Sequence, residues 1–303
     1  MKEKLSRREF FQLAGIGVLA GSSLSYLKAK QIPELAVVEG EMLSATRKAI
    51  SALGGMKRFV KPGTKVLIKP NLSFASGPER GANTHPEMVA EVARLCLEAG
   101  AKEVLIADHP LYPATLCLWR SGIRETLKKI PKARFQYFTE EKFYQEVKVP
   151  RGKDLKKVKI LKPALEADLI INLAKAKTHG DTTVTLCLKN LMGFILNRKR
   201  FHTIYNLHQA IADLSSVIQP GLNLIDASTV MIEGGPGGPG ILKKLNLVVA
   251  GTNPVETDAL MVTLSEWYGR SWKPAEIKHL KLASELGLGE IAPEKLKYQR
   301  IKV

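Results

Sequence analysis

The chain has 303 residues, of which 45% are hydrophobic and 25% are charged. This length and composition allow a substantial buried core and exclude fibrous and disordered proteins, so we expect one large α/β domain or two closely fused lobes. The formal net charge is +17. A basic excess of this size fits nucleic acid, an anionic membrane surface, an acidic small substrate or only a lysine-rich solvated surface, so charge alone does not predict a nucleic-acid groove.

The three cysteines, Cys96, Cys117 and Cys187, lie far apart and form no C-x-x-C pair. Because a four-cysteine site for iron–sulfur or zinc cannot be built from them, we expect no self-contained iron–sulfur cluster. The odd number also argues against a disulfide framework. We expect all three thiols to be buried as small apolar groups.

The first 30 residues have the character of a targeting segment. They hold six Lys/Arg and two Asp/Glu, so the remainder of the chain carries 17 − 4 = +13. The stretch SRREFF at 6–11 precedes a short apolar run rich in Gly and Ser and resembles a twin-arginine export signal; the alternative is an amphipathic helix docked on the domain. We predict a twin-arginine signal peptide or uncleaved membrane anchor over 1–30. The protein would then meet the twin-arginine export machinery and reside in the periplasm or on the outer face of the cytoplasmic membrane, without a nucleic-acid partner.

Apolar runs alternate with amphipathic segments along the rest of the chain, with Pro and Gly at their ends. Strands are predicted at 33–40, 64–72, 102–108, 134–138, 146–150, 153–162, 167–173, 222–228 and 245–251. Helices are predicted at 42–60, 87–100, 113–130, 184–195, 204–218 and 253–269, and a Gly/Pro-rich loop at 229–244. This alternation predicts an α/β fold with a mostly parallel sheet and helices on both faces. With no repeat and no long linker, residues 31–303 are predicted to form a single domain.

Polar side chains recur where the predicted strands end. Lys69 and Asn71 follow one strand, Asp108 another, and Lys175, Lys177, Thr178 and His179 a third. Because ligands of open parallel sheets bind outside the carboxyl ends of the strands, these groups are candidates for one shared site. The next predicted helix would add Lys189 and Asn190 to it.

For each candidate residue, a functional role is weighed against a purely structural one. The lysines can bind an anion or a phosphate, and one desolvated lysine can act as a base or nucleophile with a lowered pKa. Lys175, by contrast, is expected to be a solvated charge. His85 either contacts substrate or caps the helix that starts at Pro86. The glycines of EGGPGGPG (233–240) form either a backbone nest for an anion, a lid or a long β-connection.

A divalent metal is the one cofactor for which candidate ligands can be named, although no H-x-E-x-H spacing is present. The residue roles predicted from the sequence are as follows: catalytic Lys177, His179 and Lys189; substrate-binding Lys69, Asn71, His85, Thr178, Asn190, Gly235 and Gly237; metal-binding Asp226, Glu233 and His202.

The order of these motifs resembles the domain-of-unknown-function 362 family. The resemblance is carried by IKPNL (68–72), THPEMV (84–89), KTHGDTTVTLCLKNLMG (177–193), LIDA (224–227) and NPVETDAL (253–260), and covers about 35–268. Many relatives look as if they carry twin-arginine signals or ferredoxin-like cluster segments, and this chain has only the first feature. It also has Asn253 where relatives often have Asp. The resemblance implies no particular reaction.

Two functions follow as expectations. The first is an exported enzyme that acts on a small anionic substrate, with or without a divalent metal. The second is a cell-envelope protein that holds a cofactor or an anion without chemistry and serves a redox partner. Groups clustered after strands motivate the first, while tight retention of a ligand without turnover would indicate the second.

Overall fold

A nine-stranded mixed sheet forms the centre of the protein in the computed structural model, which describes residues 32–303. The predicted signal at 1–30 lies outside the described residues. The strands are β1 (Leu35–Glu39), β2 (Lys65–Pro70), β3 (Glu103–Asp108), β4 (Ala133–Tyr137), β5 (Tyr144–Lys148), β6 (Lys157–Leu161), β7 (Leu169–His179), β8 (Thr183–Thr185), β9 (Leu222–Glu233), β10 (Ile241–Gly251), β11 (Glu266–Trp267), β12 (Arg270–Ser271) and β13 (Tyr298–Lys302).

The main sheet has the order β13-β1-β10-β9-β7-β2-β3-β4, with β8 paired to β7. Five of its eight strand pairings are parallel and three are antiparallel. Strands β5 and β6 form a separate two-stranded ribbon, as do β11 and β12. The predicted mostly parallel α/β sheet is therefore confirmed. Because β2, β3, β7 and β9 are parallel neighbours, their carboxyl ends lie at the same edge.

The α-helices are α1 (Met42–Ala52), α2 (Pro86–Glu98), α3 (Ala114–Arg120), α4 (Ile123–Leu127), α5 (Lys162–Glu166), α6 (Cys187–Asn190), α7 (Arg198–Thr203), α8 (Leu207–Ser215), α9 (Pro254–Thr263) and α10 (Lys278–Glu285). Several begin where the sequence supplies a cap and a proline. Helix α2 has Pro86 in its first turn, and the ring of His85 accepts the N–H of Glu87. Helix α9 starts with Pro254 after Asn253, whose side chain caps it. A side-chain cap satisfies N–H groups that have no partner inside the helix.

Hydrophobic residues cover both faces of the sheet. Because successive side chains of a strand point to opposite faces, neighbouring residues belong to two different buried clusters. In β1, Leu35 and Val37 belong to one buried cluster, whereas Ala36 and Val38 belong to the other. One cluster contains α1 and α2, and the other contains α6, α8, α9 and α10. The alternation produces helices on both faces, as predicted. The three cysteines are buried, as expected.

The structure corrects three secondary-structure predictions. The strand predicted to end at residue 173 is longer, because β7 continues through His179. The predicted loop at 229–244 is largely two strands, since β9 extends to Glu233 and β10 begins at Ile241. The predicted helix at 184–195 is divided into the end of β8, the single turn α6 and a 3₁₀ turn at Leu191–Phe194.

The described residues, 32–303, form one compact unit. In that part of the chain, none of the helices combines the length and the apolar character needed to cross a membrane.

Candidate functional site

A cavity of about 360 Å³ opens at the carboxyl ends of β2, β3 and β7. Its walls come from those strands, the loop after β2, α6 with the 3₁₀ turn that follows, and α7. The polar and charged residues that line it are Lys69, Asn71, Ser73, Asp108, Lys177, His179, Thr185, Lys189, Asn190, Arg198, Lys199 and His202. Five of these are Lys or Arg, and one is a carboxylate. The cavity therefore has the charge expected of an anion site.

The single carboxylate is already paired. Nζ of Lys69 lies 2.9 Å from Oδ1 of Asp108, and both side chains are 1% exposed. Asp108 also accepts the backbone N–H groups of Leu72 and His109, each at 2.7 Å. A buried carboxylate with its oxygens occupied in this way fixes the ends of β2 and β3 together. It does not neutralise the remaining cations of the cavity.

Lys177 is buried without a carboxylate partner within salt-bridge distance among residues 32–303. Its Nζ donates to Oδ1 of Asn71 at 3.0 Å and to the carbonyl oxygen of Ala82. It also lies 4.7 Å from the ring centroid of Phe74. Burial, with the neighbouring positive charge of Lys175, lowers the pKa of Lys177 well below its ordinary range. An amine of this kind is available in its neutral form, which can accept a proton or attack a carbonyl.

Two asparagines connect the lysines of the cavity floor. Oδ1 of Asn190 accepts from Nζ of Lys69 at 3.2 Å and from Nδ2 of Asn71 at 3.0 Å. Asn71 in turn accepts from Lys177. The amide of Asn190 also donates to Asn172 at 2.8 Å. Lys69 and Lys177 therefore belong to one hydrogen-bonded network, which holds both groups in place.

Lys189 lies on α6, and its position depends on Asp258 of α9. The Asp258 carboxylate accepts the N–H of Cys187 at 2.6 Å and that of Leu188 at 2.9 Å, capping α6 from another element. Burial raises the pKa of Asp258 to about 7. Burial also lowers the pKa of Lys189 to about 8. Its Nζ has Sδ of Met192 at 3.7 Å as a weak partner, so its charge remains available to a ligand.

Two histidine rings stack at one side of the cavity. The centroids of His179 and His202 are 6.0 Å apart, and Nδ1 of His202 lies 3.1 Å from Oδ2 of Asp181. Nδ1 of His179 accepts the N–H of Asp181 at 3.1 Å. Burial, followed by the charge of Lys189, lowers the pKa of His179 to about 2. His179 is thus a neutral imidazole whose Nδ1 accepts a hydrogen bond and whose Nε2 therefore carries the proton, so that Nε2–H can donate a hydrogen bond to a bound anion.

Sequence reasoning missed several residues that line the cavity. Arg198 and Lys199 start α7, and burial lowers the pKa of the Arg198 guanidinium. Phe74 and Met192 supply apolar wall. The basic run NRKR at 197–200, which lies between two predicted site segments, is the sequence feature that could have indicated Arg198 and Lys199. Gly193 also lines the cavity, where an added Cβ would overlap Oδ1 of Asp108 and Cε of Lys69.

Four residues predicted to bind substrate lie behind or beside the cavity wall. Thr178 is buried, and its hydroxyl accepts the N–H of Gly235 at 3.0 Å, joining β7 to the turn between β9 and β10. Gly237 packs against the Phe74 ring, and the neighbouring Pro236 lines the cavity. His85 caps α2. Lys69, Asn71 and Asn190 are the predicted binding residues that line the cavity itself.

The three residues predicted to bind a metal do not come together. Asp226 is buried: its Oδ2 lies 2.9 Å from Nζ of Lys175 and accepts the N–H of His85, while its Oδ1 accepts both the N–H and the hydroxyl of Ser228. Glu233 is exposed at the end of β9, and His202 lies at the cavity. Within residues 32–303, no group of three or more His, Cys, Asp and Glu side chains is placed to hold a metal ion.

The prediction that Lys175 is a solvated charge is wrong. Lys175 is 2% exposed and forms the buried ion pair with Asp226. The two pair across neighbouring parallel strands, where Lys175 of β7 lies opposite Asp226 of β9. A buried lysine needs such a partner, since an unpaired charge in the interior is costly.

Comparison with known proteins gives one family and distant structural neighbours. The profile of the family described as "Domain of unknown function (DUF362)" matches residues 66–263. A thylakoid-associated protein of Synechocystis sp. is 28% identical in an alignment of 264 residues that covers 84% of this chain and 78% of that protein.

Two solved structures are similar at low identity. One is a protein from Thermotoga maritima, with a TM-score of 0.43 and 15% identity over 82% of this chain and 60% of that one. The other is the lactate racemase apoprotein from Thermoanaerobacterium thermosaccharolyticum, with a TM-score of 0.40 and 13% identity over 84% of this chain and 57% of that one. This chain therefore spans less than two thirds of either solved chain.

Proposed function

Because this chain belongs to the DUF362 family, whose description specifies no reaction, we propose its function from the cavity: it is an enzyme that acts on a small anionic substrate. The observation that carries the proposal is the excess of cations in the cavity wall. Of the five Lys and Arg side chains, Lys177 is neutral and Lys69 is paired with the one carboxylate, Asp108, so Lys189, Arg198 and Lys199 remain as cations without a carboxylate partner in the cavity. A buried surface with this imbalance gains most from a bound anion, because its charges are poorly screened by solvent.

In this proposal Lys189 and Arg198 bind the anion. Neither side chain forms a salt bridge with a residue of the described range, and burial lowers the pKa of both. A bound anion would compensate each cation for the contacts with water that it loses on burial. Lys199, which is exposed at the mouth, would add attraction for the incoming substrate.

Chemistry is assigned to Lys177 and His179. Both side chains are neutral by virtue of burial and both line the cavity: the Lys177 amine can accept a proton, and the imidazole of His179 can donate a hydrogen bond. The hydrogen bond from Lys177 to Asn71 fixes the amine, and the N–H of Asp181 occupies Nδ1 of His179, which leaves the Nε2–H of His179 to donate to the substrate. This combination suits abstraction of a proton from a bound carboxylate or phosphate compound. No metal-ligand role is assigned to Asp226, because its oxygens are occupied by protein donors.

The test is calorimetric binding of phosphate and acetate to the wild-type protein and to Lys189→Met, Arg198→Met and Lys129→Met. Lys129 is an exposed lysine that does not line the cavity and serves as the matched control. We expect each site variant to weaken binding at least tenfold and the control to bind as the wild type does. Equal affinity in all four proteins would contradict the proposal.

Turnover is tested separately. Natively purified protein is analysed by mass spectrometry for bound small molecules and by elemental analysis for metal. A recovered anion is then supplied to wild type, Lys177→Met and His179→Gln. Conversion by the wild type alone supports an enzyme, whereas tight retention without conversion supports the non-catalytic binding protein.

We also propose that the protein works outside the cytoplasm. Support comes from the SRREFF stretch at 6–11, and a relative named as thylakoid-associated is compatible with a location at a membrane. Fractionation of cells that express the wild type or the Arg7→Lys/Arg8→Lys double variant tests the idea. We expect the wild type in the periplasm or membrane fraction and the variant in the cytoplasm. An unchanged distribution would contradict it.

A further inference from the structure

The cavity has an apolar side as well as a cationic floor. Phe74, Leu111, Met192 and Pro236 line it together with the charged residues. An inorganic anion would gain no binding energy from contact with these apolar side chains. Sites for organic ligands combine a largely apolar lining with a few placed polar groups.

An aromatic row runs from the floor to the mouth. Nζ of Lys177, which is 1% exposed, lies 4.7 Å from the ring centroid of Phe74. The Phe74 centroid lies 5.9 Å from that of Tyr112, which is 54% exposed. Exposure to solvent therefore increases along the row, from the buried amine of Lys177 at one end to the exposed ring of Tyr112 at the other.

Leu111 extends the apolar side to the surface. It lines the cavity and is 60% exposed, although leucine is among the residues most often buried. The backbone N–H groups of Leu111 and Tyr112 donate to the carbonyl oxygen of Ser73 at 3.0 and 3.4 Å. These hydrogen bonds hold Leu111, which lines the cavity, and its neighbour Tyr112 against the loop that carries Phe74. The apolar side is thus formed before a ligand arrives, which lowers the cost of binding.

From this arrangement we propose that the substrate is an amphiphilic anion: a carboxylate or phosphate head at Lys189 and Arg198, with an aliphatic or aromatic body along Phe74, Leu111 and Tyr112. This rests on the proposed function and adds the class of substrate. The cavity of about 360 Å³ suits a compact organic molecule. Covering Leu111 and Tyr112 would remove apolar surface from water, and each buried CH₂ should tighten binding about fourfold.

The experiment measures dissociation constants by calorimetry for acetate, butyrate, hexanoate, phosphate and phenyl phosphate. Wild type is compared with Leu111→Ser, Tyr112→Ser and Trp119→Ser. Trp119 is 62% exposed and does not line the cavity, so its replacement controls for lost surface hydrophobicity. Hexanol, which lacks the charge, controls for binding of the tail alone.

We expect affinity to rise by more than tenfold from acetate to hexanoate and from phosphate to phenyl phosphate. Leu111→Ser and Tyr112→Ser should reduce that gain while leaving phosphate affinity unchanged, and Trp119→Ser should behave as the wild type does. Phosphate binding without any gain from a tail would overturn this inference and leave the proposed function intact. Failure of every anion to bind would overturn both.

Discussion

Nζ of Lys177 lies 3.0 Å from Oδ1 of Asn71, so a fully buried lysine is held by a neutral amide. Lys69, in the same cavity floor, has the carboxylate of Asp108 at 2.9 Å. The two lysines share one network through Asn71 and Asn190, yet only one has a counter-charge. Asp108 therefore opposes the effect of burial on Lys177 only from beyond salt-bridge distance, and this difference separates a reactive amine from a structural ion pair.

Replacement of Asn71 by Asp should raise the pKa of Lys177. A carboxylate at this position would favour the charged amine and remove the neutral form that the proposed chemistry requires. The ¹³Cε resonance of Lys177, identified by its loss in Lys177→Met, reports the titration directly. We expect it to titrate below the ordinary lysine range in the wild type and at higher pH in Asn71→Asp. An ordinary lysine titration in the wild type would contradict the assignment.

Anion affinity should fall as pH rises through about 8. Lys189 has a pKa of about 8 in the unliganded protein, so its ammonium form is about one-tenth populated one unit higher. The dissociation constant for phosphate, measured between pH 7 and 9.5, should therefore rise by roughly tenfold above pH 8. Lys189→Arg should bind with little pH dependence in this range, because a guanidinium stays charged. A wild-type profile that is flat over the same range would exclude Lys189 as the binding cation.

Gly193→Ala should destabilise the protein. An added Cβ would overlap Oδ1 of Asp108 and Cε of Lys69, both members of a buried ion pair. Overpacking costs roughly 1–3 kcal/mol, and displacement of the pair would add to that. Chemical denaturation measures the free energy of unfolding. Gly180→Ala is the matched control, since nothing lies within 4 Å of its added Cβ, and equal stability of the two variants would contradict the prediction.

The sequence allowed the strand ends to be found, because apolar runs bounded by Gly and Pro are local features. It did not show that β7 continues through His179. A run of Lys, Thr and His is typical of a solvated segment unless the strands and charges that pair with it are known. Lys175 is buried only because Asp226 lies opposite it on β9, about fifty residues later along the chain. Phe74 joins the cavity through tertiary folding alone, and the basic run at 197–200 did not by itself place Arg198 there. Local pattern thus predicted the edge of the sheet, whereas the ion pairs that occupy it depend on contacts between distant segments.

The Lys175–Asp226 pair leads to a prediction that separates structure from metal binding. Asp226→Asn should lower the free energy of unfolding by about 3–5 kcal/mol, because Lys175 would keep a buried charge without its partner. The double variant Lys175→Met/Asp226→Asn should recover much of that loss. Asp181→Asn, at an exposed carboxylate, is the control. If Asp226 served mainly as a metal ligand, chelation of the wild type would reproduce the loss and the double variant would not reverse it.

Acid should destabilise the protein through His279 of α10. Its ring is fully buried, stacks on His208 with centroids 6.1 Å apart, and has no hydrogen-bond partner for either nitrogen among the described residues. Burial, with the nearby charges of His208 and Lys189, lowers the pKa of His279 from 6.5 to about 3. The unfolded chain therefore binds this proton first as pH falls, so the stability held by the neutral ring is lost progressively from about pH 6.5 towards 3.

By pH 5 that loss should be roughly 2 kcal/mol from His279 alone. Burial also lowers the pKa of His208, whose contribution has the same sign. Urea denaturation at pH 7.5, 6 and 5 measures the dependence in wild type and His279→Leu. We expect the variant to lose less stability on acidification, because an apolar side chain of similar size has no proton to bind. Parallel curves for the two proteins would show that the acid sensitivity originates elsewhere.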